Sequence, residues 1–572
     1  MAALRRLAAL ALAASSLTSV ASAAAGAGAG AVPKDAATWS ILSASGQHGQ
    51  ERVWTTKDGV RHAKMNILLR GLVFDVTSAM TLGADGRPTK VTIAGSTPSG
   101  DAGETFAVEN GVARWKTPVD SGEAPWRGDL VYIPYGGPND TLAVLVDAAL
   151  KDADKKFDAL PGGAARITDL VSKEFSANGK TKTLKAVLIE GLGFSPSPVW
   201  IDENNRFFAV AGGLSWLPKG WEPIRADLVK AQEEAMAARA PAERARLLKD
   251  PGAPVLYRNV TIYDAAANGF APGMSVLVDG AKIAAVGPAK KVKAPKGAVV
   301  IEGAGKTLVP GLWDMHHHYG DDSQGPLDLA QGVTSVRDVG NDRTQLLARK
   351  KRIDDGALLG PKIYPILGID GDGPLSAQSF VRIKSVEEGV AAIERGKNEG
   401  FYGIKLYGTI NPAWVAPLAV EAHKRGMSVQ GHVPAGMRPS EAVAAGYDGI
   451  NHINFVVMDA MPDDVVKTSN GLNRFFGPGR YAKDVDLSKP PMAPFIETLA
   501  AKKIVIDPTL TVYEGSFMYD QGEIAQANAP YLGTYPAQIE RGFRGGGFVA
   551  PPEFKTTRAD MRASFKKLVE LG

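Results

Sequence analysis

The chain has 572 residues, 45% hydrophobic and 22% charged, with no cysteine and a formal net charge of +4 at pH 7. This length fits about three to four domains of ordinary size, or one large barrel with smaller units beside it. The lack of cysteine excludes disulfides, thiolate metal sites and a cysteine nucleophile, and the small net charge gives no indication of nucleic acid as a partner. Any metal ion must be bound by histidine, by carboxylates or by a modified lysine.

Residues 1–23 predict an export signal. Arg5 and Arg6 form a positive segment, residues 7–14 are apolar, and Ala21-Ser22-Ala23 fits a cleavage site. The apolar run is shorter than the ~20 residues of a membrane-spanning helix, although an uncleaved N-terminal anchor is the alternative. We expect a periplasmic or secreted protein, with no membrane span after signal removal.

Residues 33–225 predict a separate β-rich N-terminal domain of unknown role, because apolar runs alternate there with turn dipeptides such as Asp85-Gly86 and Asn110-Gly111. Within it, residues 140–160 have helical apolar spacing, and residues 199–210 predict a hairpin. Residues 226–254 are charged and Ala-rich, which predicts a helical connector interrupted by Pro241.

The pattern of predicted strands and helices changes twice in the rest of the chain. Residues 255–307 contain short strands with a tight Asp279-Gly280 turn, and we predict a small flanking β-sandwich unit. In residues 308–572, short apolar strands alternate with helical stretches. Such alternation favours parallel β/α units, and their number predicts an α/β fold of the (β/α)8 TIM-barrel type.

The first barrel strand carries a histidine cluster. Residues 307–318 read T-L-V-P-G-L-W-D-M-H-H-H, and residues 312–318 predict a strand. Side chains alternate along a strand, so His316 and His318 share one side and His317 faces the other. Two imidazoles on one side can chelate a transition metal; polar decoration of a half-exposed strand is the alternative.

Three more residues lie in later strands. Lys405 lies inside the apolar run G-I-K-L-Y, and His432 and His452 end the strands in S-V-Q-G-H and D-G-I-N-H. The carboxyl ends of barrel strands form the face where barrel active sites are built. Each residue alone is typical of a structural role, but together they predict a site.

In order and spacing, P-G-L-W-D-M-H-H-H-Y, G-V-T-S-V-R-D-V-G, Lys405, His432 and His452 resemble the amidohydrolase superfamily. The phrases G-H-V-P-A-G and D-P-T-L-T-V-Y are similar to its imidazolonepropionase-like and prolidase-like members. The resemblance covers about residues 255–572, and residues 39–250 lie outside it.

The resemblance implies two divalent metal ions, most simply zinc. It implies that His316 and His318 bind one ion, that His432 and His452 bind the other, and that Lys405 is carboxylated and bridges them. A buried lysine has a lowered pKa, and its neutral amine can add carbon dioxide. The ions would then generate a bridging hydroxide that attacks the substrate carbon.

One feature departs from the family pattern. Family members carry an aspartate at the end of the eighth barrel strand, whereas residues 503–513 match the seventh strand and residues 558–572 read as the helix before the eighth. We expect an incomplete barrel whose last strand is missing, from a truncated product or partial gene model, with an inactive protein as the alternative. Asp507 lies at the wrong depth to replace that aspartate.

The sequence therefore predicts an exported metal-dependent amidohydrolase that hydrolyses a C–N bond of an amide, a cyclic amide or a small peptide. Tyr407 and Tyr513, near strand ends, are further candidates for contact with a small-molecule or short-peptide substrate. The alternatives are a deaminase of the same fold and a non-catalytic exported protein that binds a metal or ligand. Assembly into a homo-oligomer is left open. Arg337 and Asp338 are predicted to form a structural ion pair, and Asp314 either to orient His316 or to cap its strand.

Overall fold

The computed structural model describes residues 31–572. The predicted signal peptide, residues 1–23, lies outside the described residues. In the part of the chain that is described, no helix combines the length and the apolar character needed to cross a membrane.

The N-terminal part is built mainly from short strands. Its strands are β1 (Ala37–Ser43), β2 (Gly46–Thr55), β3 (Arg61–Leu69), β4 (Leu72–Leu82), β5 (Pro88–Thr97), β6 (Gly100–Asp101), β7 (Glu104–Glu109), β8 (Val112–Lys116), β9 (Ser121–Pro125), β10 (Leu130–Tyr132), β11 (Lys156–Leu160), β12 (Ala164–Ala177), β13 (Lys180–Glu190), β14 (Ser197–Ile201), β15 (Phe207–Ala209) and β16 (Ser215–Pro218). Its helices are α1 (Asp140–Ala149) and α2 (Arg225–Leu247).

These strands form two sheets. The first has the order β16-β1-β2-β3-β4-β5-β7-β8-β9, with β6 paired to β5, and the second runs β10-β11-β12-β13-β14-β15. In β4, Leu72, Phe74 and Val76 are buried and alternate with more exposed neighbours, as expected of a strand with one face on a core. The sequence LVFDV thus fixes which face of β4 points inward.

Two predictions in this part are wrong. Residues 140–160 are not one helix: α1 ends at Ala149, and after Lys155, whose φ is 54°, the chain forms β11. Phe157 and Ala159 then face the core on alternate positions. Pro241 does not interrupt α2, because an exposed proline removes one backbone hydrogen bond and the rest of the helix can continue around it.

The next unit is a single five-stranded sheet. Its strands are β17 (Val255–Asp264), β18 (Gly269–Asp279), β19 (Lys282–Pro288), β20 (Val299–Glu302) and β21 (Thr307–Leu308). The order is β19-β18-β17-β20, with β21 paired to β17. Phe270 and Ile283 on its strands are 67% and 68% exposed, and the small β-sandwich stays a prediction.

The last unit alternates strands and helices. Its strands are β22 (Leu312–His317), β23 (Val333–Asp338), β24 (Lys362–Gly371), β25 (Val381–Ile383), β26 (Gly403–Leu406), β27 (Ser428–Gly431), β28 (Gly449–Asn451) and β29 (Val505–Asp507). Its helices are α3 (Gln324–Ala330), α4 (Arg343–Asp354), α5 (Val386–Asn398), α6 (Pro412–Lys424), α7 (Pro439–Ala444), α8 (Ile453–Val456), α9 (Asp463–Lys467), α10 (Asn473–Tyr481), α11 (Met492–Lys502), α12 (Leu510–Phe517), α13 (Ala537–Phe543) and α14 (Arg558–Leu571).

The strands of this unit form a nearly closed, parallel barrel sheet in the order β22-β23-β24-β26-β27-β28-β29, with β25 paired to β24. The mixed α/β class and the parallel barrel sheet agree with the sequence prediction. In the described residues, β22 and β29 are the two edge strands of this sheet.

The N-terminal part and the barrel do not pack independently. Leu69 and Leu72 of the β3–β4 hairpin belong to the same buried apolar cluster as Ile369 and Leu406 of the barrel. Charged contacts add to it, since Glu233 of α2 forms an ion pair with the buried Arg349 of α4. The two parts therefore share one core.

Candidate active site

The histidine strand presents its side chains as alternation predicts. The ring centroids of His316 and His318 lie 5.3 Å apart, whereas His317 turns to the other side, where its Nε2 lies 3.2 Å from a carboxylate oxygen of Asp328. His316 and His318 thus face one space at the carboxyl end of β22. The Asp314 carboxylate accepts the backbone N–H of His316 at 2.9 Å, so Asp314 holds the strand backbone and not the imidazole.

Residues of three other strands reach the same space. Lys405 lies in β26 and is 1% exposed, while His432 and His452 follow directly after β27 and β28. The His316 and His452 ring centroids are 4.6 Å apart, and those of His432 and His452 are 4.7 Å apart. The four predicted histidines are therefore brought together from three separate parts of the sequence.

Hydrogen bonds orient three of these imidazoles. The Nδ1–H of His316 donates to Asp507 Oδ2 at 2.6 Å, and that of His318 donates to the Gly340 carbonyl at 2.6 Å. Nδ1 of His452 is hydrogen-bonded to Thr509 Oγ1 at 2.7 Å. Because a carboxylate and a carbonyl can only accept, the neutral rings of His316 and His318 carry their proton on Nδ1. Their Nε2 atoms keep a free lone pair, as in histidines that bind metals.

Several buried ring nitrogens have no hydrogen-bond partner among the described residues: Nε2 of His316, and both Nδ1 and Nε2 of His432. Buried polar atoms of this kind cost free energy unless a partner is supplied. A divalent ion bound by neutral imidazoles is such a partner, so the donor set fits a metal chemically. As the side chains stand within residues 31–572, no three His, Asp or Glu residues are already arranged to hold an ion.

Burial favours the neutral forms of the site's basic groups. It lowers the pKa of Lys405 to about 7, against the attraction of Asp507 and Asp338. Burial, followed by repulsion from other nearby basic groups, also lowers the pKa values of His316, His432 and His452 well below the usual range, and that of His318 is lowered from the same first cause. A neutral amine and neutral imidazoles are the forms that react with carbon dioxide and bind metals.

Asp507 lies closer to the site than the sequence indicates. Besides His316, its Oδ2 accepts hydrogen bonds from Arg337 at 2.9 Å and from Asn451 Nδ2 at 3.0 Å. The predicted ion pair between Arg337 and Asp338 is wrong, because Asp338 instead accepts the backbone N–H of Tyr319 at 2.7 Å. Arg337 also donates to the Met315 carbonyl, so it ties β23 to both edge strands, β22 and β29.

The two candidate tyrosines occupy different places. Tyr407 follows β26, is fully buried, and its ring centroid lies 3.9 Å from that of His432. Tyr513 lies on α12, with its ring 6.4 Å from that of Phe475 on α10. Tyr407 therefore borders the histidine cluster directly, whereas Tyr513 packs behind α10.

Sequence reasoning missed two arginines beside this cluster. Arg70 comes from the β3–β4 hairpin, and its Nη1 donates to the Tyr407 hydroxyl at 3.2 Å. Arg474 lies on α10 and is 3% exposed; its charge contributes to lowering the pKa of His432 and His452. No local pattern pointed to either, since both are isolated in sequence and are placed by tertiary packing.

Comparison with known proteins gives one curated relative. The chain is 25% identical over 252 residues to the enamidase of Eubacterium barkeri, an alignment that covers 40% of this chain and 62% of the enamidase. The matched region thus spans less than two thirds of that relative's length. No family model matches the chain.

Among solved structures, the chain is similar to a putative prolidase from Bifidobacterium longum, with 20% identity, a TM-score of 0.32, and coverage of 44% of this chain and 68% of that one. Bottromycin amidohydrolase has 18% identity, a TM-score of 0.40, and coverage of 59% and 68%. The ochratoxinase of A. niger has 17% identity, a TM-score of 0.34, and coverage of 56% of this chain and 74% of that one. At such TM-scores only part of each structure superposes. The four histidines and Lys405 lie in or directly after parallel strands of one sheet, which is the arrangement that the sequence resemblance implies.

Proposed function

We propose that this chain is an exported, metal-dependent hydrolase that cleaves a C–N bond of an amide, a cyclic amide or a small peptide. One observation carries the proposal: four neutral imidazoles and a buried lysine of lowered pKa converge at the carboxyl ends of parallel barrel strands. Amidohydrolases as a family use divalent metals, and the enamidase relative supports an activity of this class.

His316, His318, His432 and His452 would hold the metal, together with a carboxylated Lys405. When bound there, divalent ions would lower the pKa of a water to near neutrality and polarise the scissile carbonyl.

The remaining residues act on these ligands. Asp507 and the Gly340 carbonyl fix the protonated nitrogens of His316 and His318, which leaves the opposite nitrogens available. Tyr447 donates to the His432 carbonyl at 2.8 Å and so fixes the backbone of that residue. Burial of Lys405 supplies the neutral amine that carboxylation requires.

The decisive experiment loads the full chain with Zn²⁺ or Mn²⁺ in bicarbonate buffer and measures metal content. The loaded protein is then offered a panel of N-acyl amino acids, cyclic amides and dipeptides, with products separated by chromatography. We expect bound metal and release of an amine with a carboxylic acid. Lys405→Met should abolish both, whereas Lys424→Met, on the exposed face of α6, should leave both unchanged.

Two outcomes would contradict the proposal. A protein that binds metal but hydrolyses no amide on the panel would favour the non-catalytic alternative. Release of ammonia from an amino-substituted ring, without cleavage of any amide, would favour a deaminase.

Export is tested separately. Expression of the full chain in a Gram-negative host, followed by fractionation and N-terminal sequencing, should give a periplasmic or secreted protein that begins near Ala24. Retention of Met1 on a soluble protein in the cytoplasmic fraction would contradict export.

A further inference from the structure

The small five-stranded sheet presents apolar side chains to solvent. Phe270 of β18 is 67% exposed, Ile283 of β19 is 68% exposed, and all four residues of the edge strand β20 are exposed. Single exposed apolar residues are ordinary on a protein surface, whereas a group of them on one small unit is typical of a binding surface.

An aromatic pair lies at one end of this sheet. Phe270 is opposite Tyr263 at the tip of the β17–β18 hairpin, and the two ring centroids are 5.4 Å apart. Residues 265–267 of the turn are three exposed alanines. The Asp264 carboxylate accepts two of their backbone N–H groups, at 2.9 and 3.1 Å, and so holds the turn. The tip therefore offers two aromatic rings and small side chains on a fixed backbone.

Two lysines approach this end of the sheet from β19. Pro288, the last residue of β19, is opposite Met274 of β18, and the backbone N–H of the next residue donates to the Gly273 carbonyl at 2.9 Å. Lys290 and Lys291 follow directly and are exposed. They therefore lie beside the strand whose first residues form the hairpin tip.

A third lysine reaches the same end from the other side of the hairpin. Leu308 of β21 is opposite Ile262 of β17, and the Lys306 carbonyl accepts the backbone N–H of Thr261 at 2.9 Å. Lys306 is exposed, and Val309 after β21 is 51% exposed. Lysines thus flank the hairpin on both sides.

The positive charge of this unit has little local compensation. Residues 255–309 contain seven Lys and Arg but only three Asp and Glu, an excess of four that equals the net charge of the whole chain. Arg258 forms an ion pair with Glu302, whereas the six lysines are exposed and form no ion pair within residues 31–572. The unit therefore attracts an anionic partner.

We propose that the end of the small sheet that carries Phe270 and the flanking lysines binds the surface of an anionic phospholipid bilayer. Such a surface has negative headgroups above an apolar interior, so it matches lysines and exposed apolar side chains together. A nucleic acid would match the charge but would leave the exposed aliphatic side chains of β19 and β20 without apolar surroundings. The inference is independent of the proposed hydrolysis.

The test places its readout at the hairpin tip, because residues 1–23 contain two arginines and an apolar run of their own. The chain has no cysteine, so Ala266→Cys in the full chain can carry one fluorophore whose emission shifts to the blue in apolar surroundings. Vesicles of equal parts phosphatidylglycerol and phosphatidylcholine are added at low salt. We expect a blue shift with these vesicles and none with phosphatidylcholine alone. Lys57→Cys, in the exposed turn between β2 and β3, should give no shift with either.

Two variants in the labelled chain test the two kinds of contact. Replacing Lys290, Lys291 and Lys306 together by Gln should raise the lipid concentration needed for half-saturation about 100-fold, because each lysine near an anionic surface strengthens binding about fivefold. Phe270→Ser should raise it about 10-fold or more, since an apolar ring is no longer buried.

The matched control replaces three exposed lysines of the N-terminal part by Gln, namely Lys90, Lys116 and Lys180. It removes the same total charge, and we expect half-saturation within about twofold of the unchanged chain, because charges far from the contact are screened. All the replaced side chains are exposed, so thermal unfolding should match that of the unchanged chain in every variant.

The inference would be overturned by an unshifted probe at position 266, or by an equal shift with phosphatidylcholine alone. Half-saturation of the Lys290, Lys291 and Lys306 variant at the same lipid concentration as its control would also overturn it. A shift caused by single-stranded DNA but not by vesicles would assign the surface to nucleic acid. A shift that grows with protein concentration in the absence of lipid would assign it to a second copy of the chain.

Discussion

The two halves of the candidate site are held in different ways. Lys405 lies in β26, and His432 and His452 directly follow β27 and β28; each of these three strands has a hydrogen-bonded strand on both sides. His316 lies in β22 and His318 directly follows it; β22 is an edge strand whose Trp313 is 51% exposed. The inner half is therefore positioned by backbone ladders, and the edge half depends on side-chain contacts with Asp507 and Arg337.

The largest loss of activity should come from a substitution in the inner half. Replacing Lys405 by Met removes the proposed bridging ligand but keeps an apolar chain of similar length. We expect activity to fall by a factor on the order of 10³ and metal content to fall below that of wild type. Activity assays with elemental analysis measure both. Retention of wild-type metal content and activity would show that the two halves do not share a bridging lysine.

The same contrast should appear in stability. Leu406 of β26 is fully buried, whereas Leu312 of β22 is 53% exposed. Leu406→Ala should lower the free energy of unfolding by about 2–5 kcal/mol, and Leu312→Ala by less than about 1 kcal/mol. Urea denaturation compares the two variants. Equal losses would mean that β22 is as firmly packed as β26.

A further comparison removes one hydrogen-bond partner of a histidine from each half. Asp507→Asn weakens the contact that orients His316, and Thr509→Val removes the one to His452. We expect metal affinity to fall by about 10- to 100-fold in each, with the larger loss for Asp507→Asn because Arg337 loses its ion-pair partner as well. Competition with a chelator measures the affinities, and Asp486→Asn, at an exposed position, serves as the control. A larger loss in Thr509→Val would contradict the dependence of the edge half on side chains.

The smallest expected effect is the pH dependence of carbamate formation on Lys405. The pKa of Lys405 is lowered to about 7, so its amine is protonated and unreactive below pH 7 and neutral above it. Formation of a carbamate by the metal-free protein should therefore rise about tenfold per pH unit up to pH 7 and level off above it. Carbon-13 NMR with labelled bicarbonate follows this rise. A midpoint near 10, as for an ordinary lysine, would contradict the burial of the inner half.

Much of the barrel could be predicted because its strands are short apolar runs between clear helices. The predicted strands in G-I-K-L-Y, S-V-Q-G-H and D-G-I-N-H coincide with β26, β27 and β28. Alternation also placed His316 and His318 on one side of β22. The local pattern was sufficient there because each strand is buried on both faces.

The partners of the ligands could not be predicted in the same way. Asp507 was expected at the wrong depth, yet its carboxylate reaches His316 from across the gap between β22 and β29. The Gly340 carbonyl reaches His318, and Arg70 reaches Tyr407, only because the folded chain brings them together. The prediction of one helix over residues 140–160 was wrong for another reason. The apolar spacing in the second half of that segment suits a strand equally well.

The hairpin that carries Arg70 also bears on how this protein can be divided. Excision of the barrel at the connector would leave every histidine in place yet remove a guanidinium from beside Tyr407. Conversely, grafting a different turn between β3 and β4 would change the surroundings of Tyr407 without replacing a barrel residue. The hairpin is thus a place where the site can be redesigned from outside the barrel. A fragment that keeps the site intact must contain both the N-terminal part and the barrel.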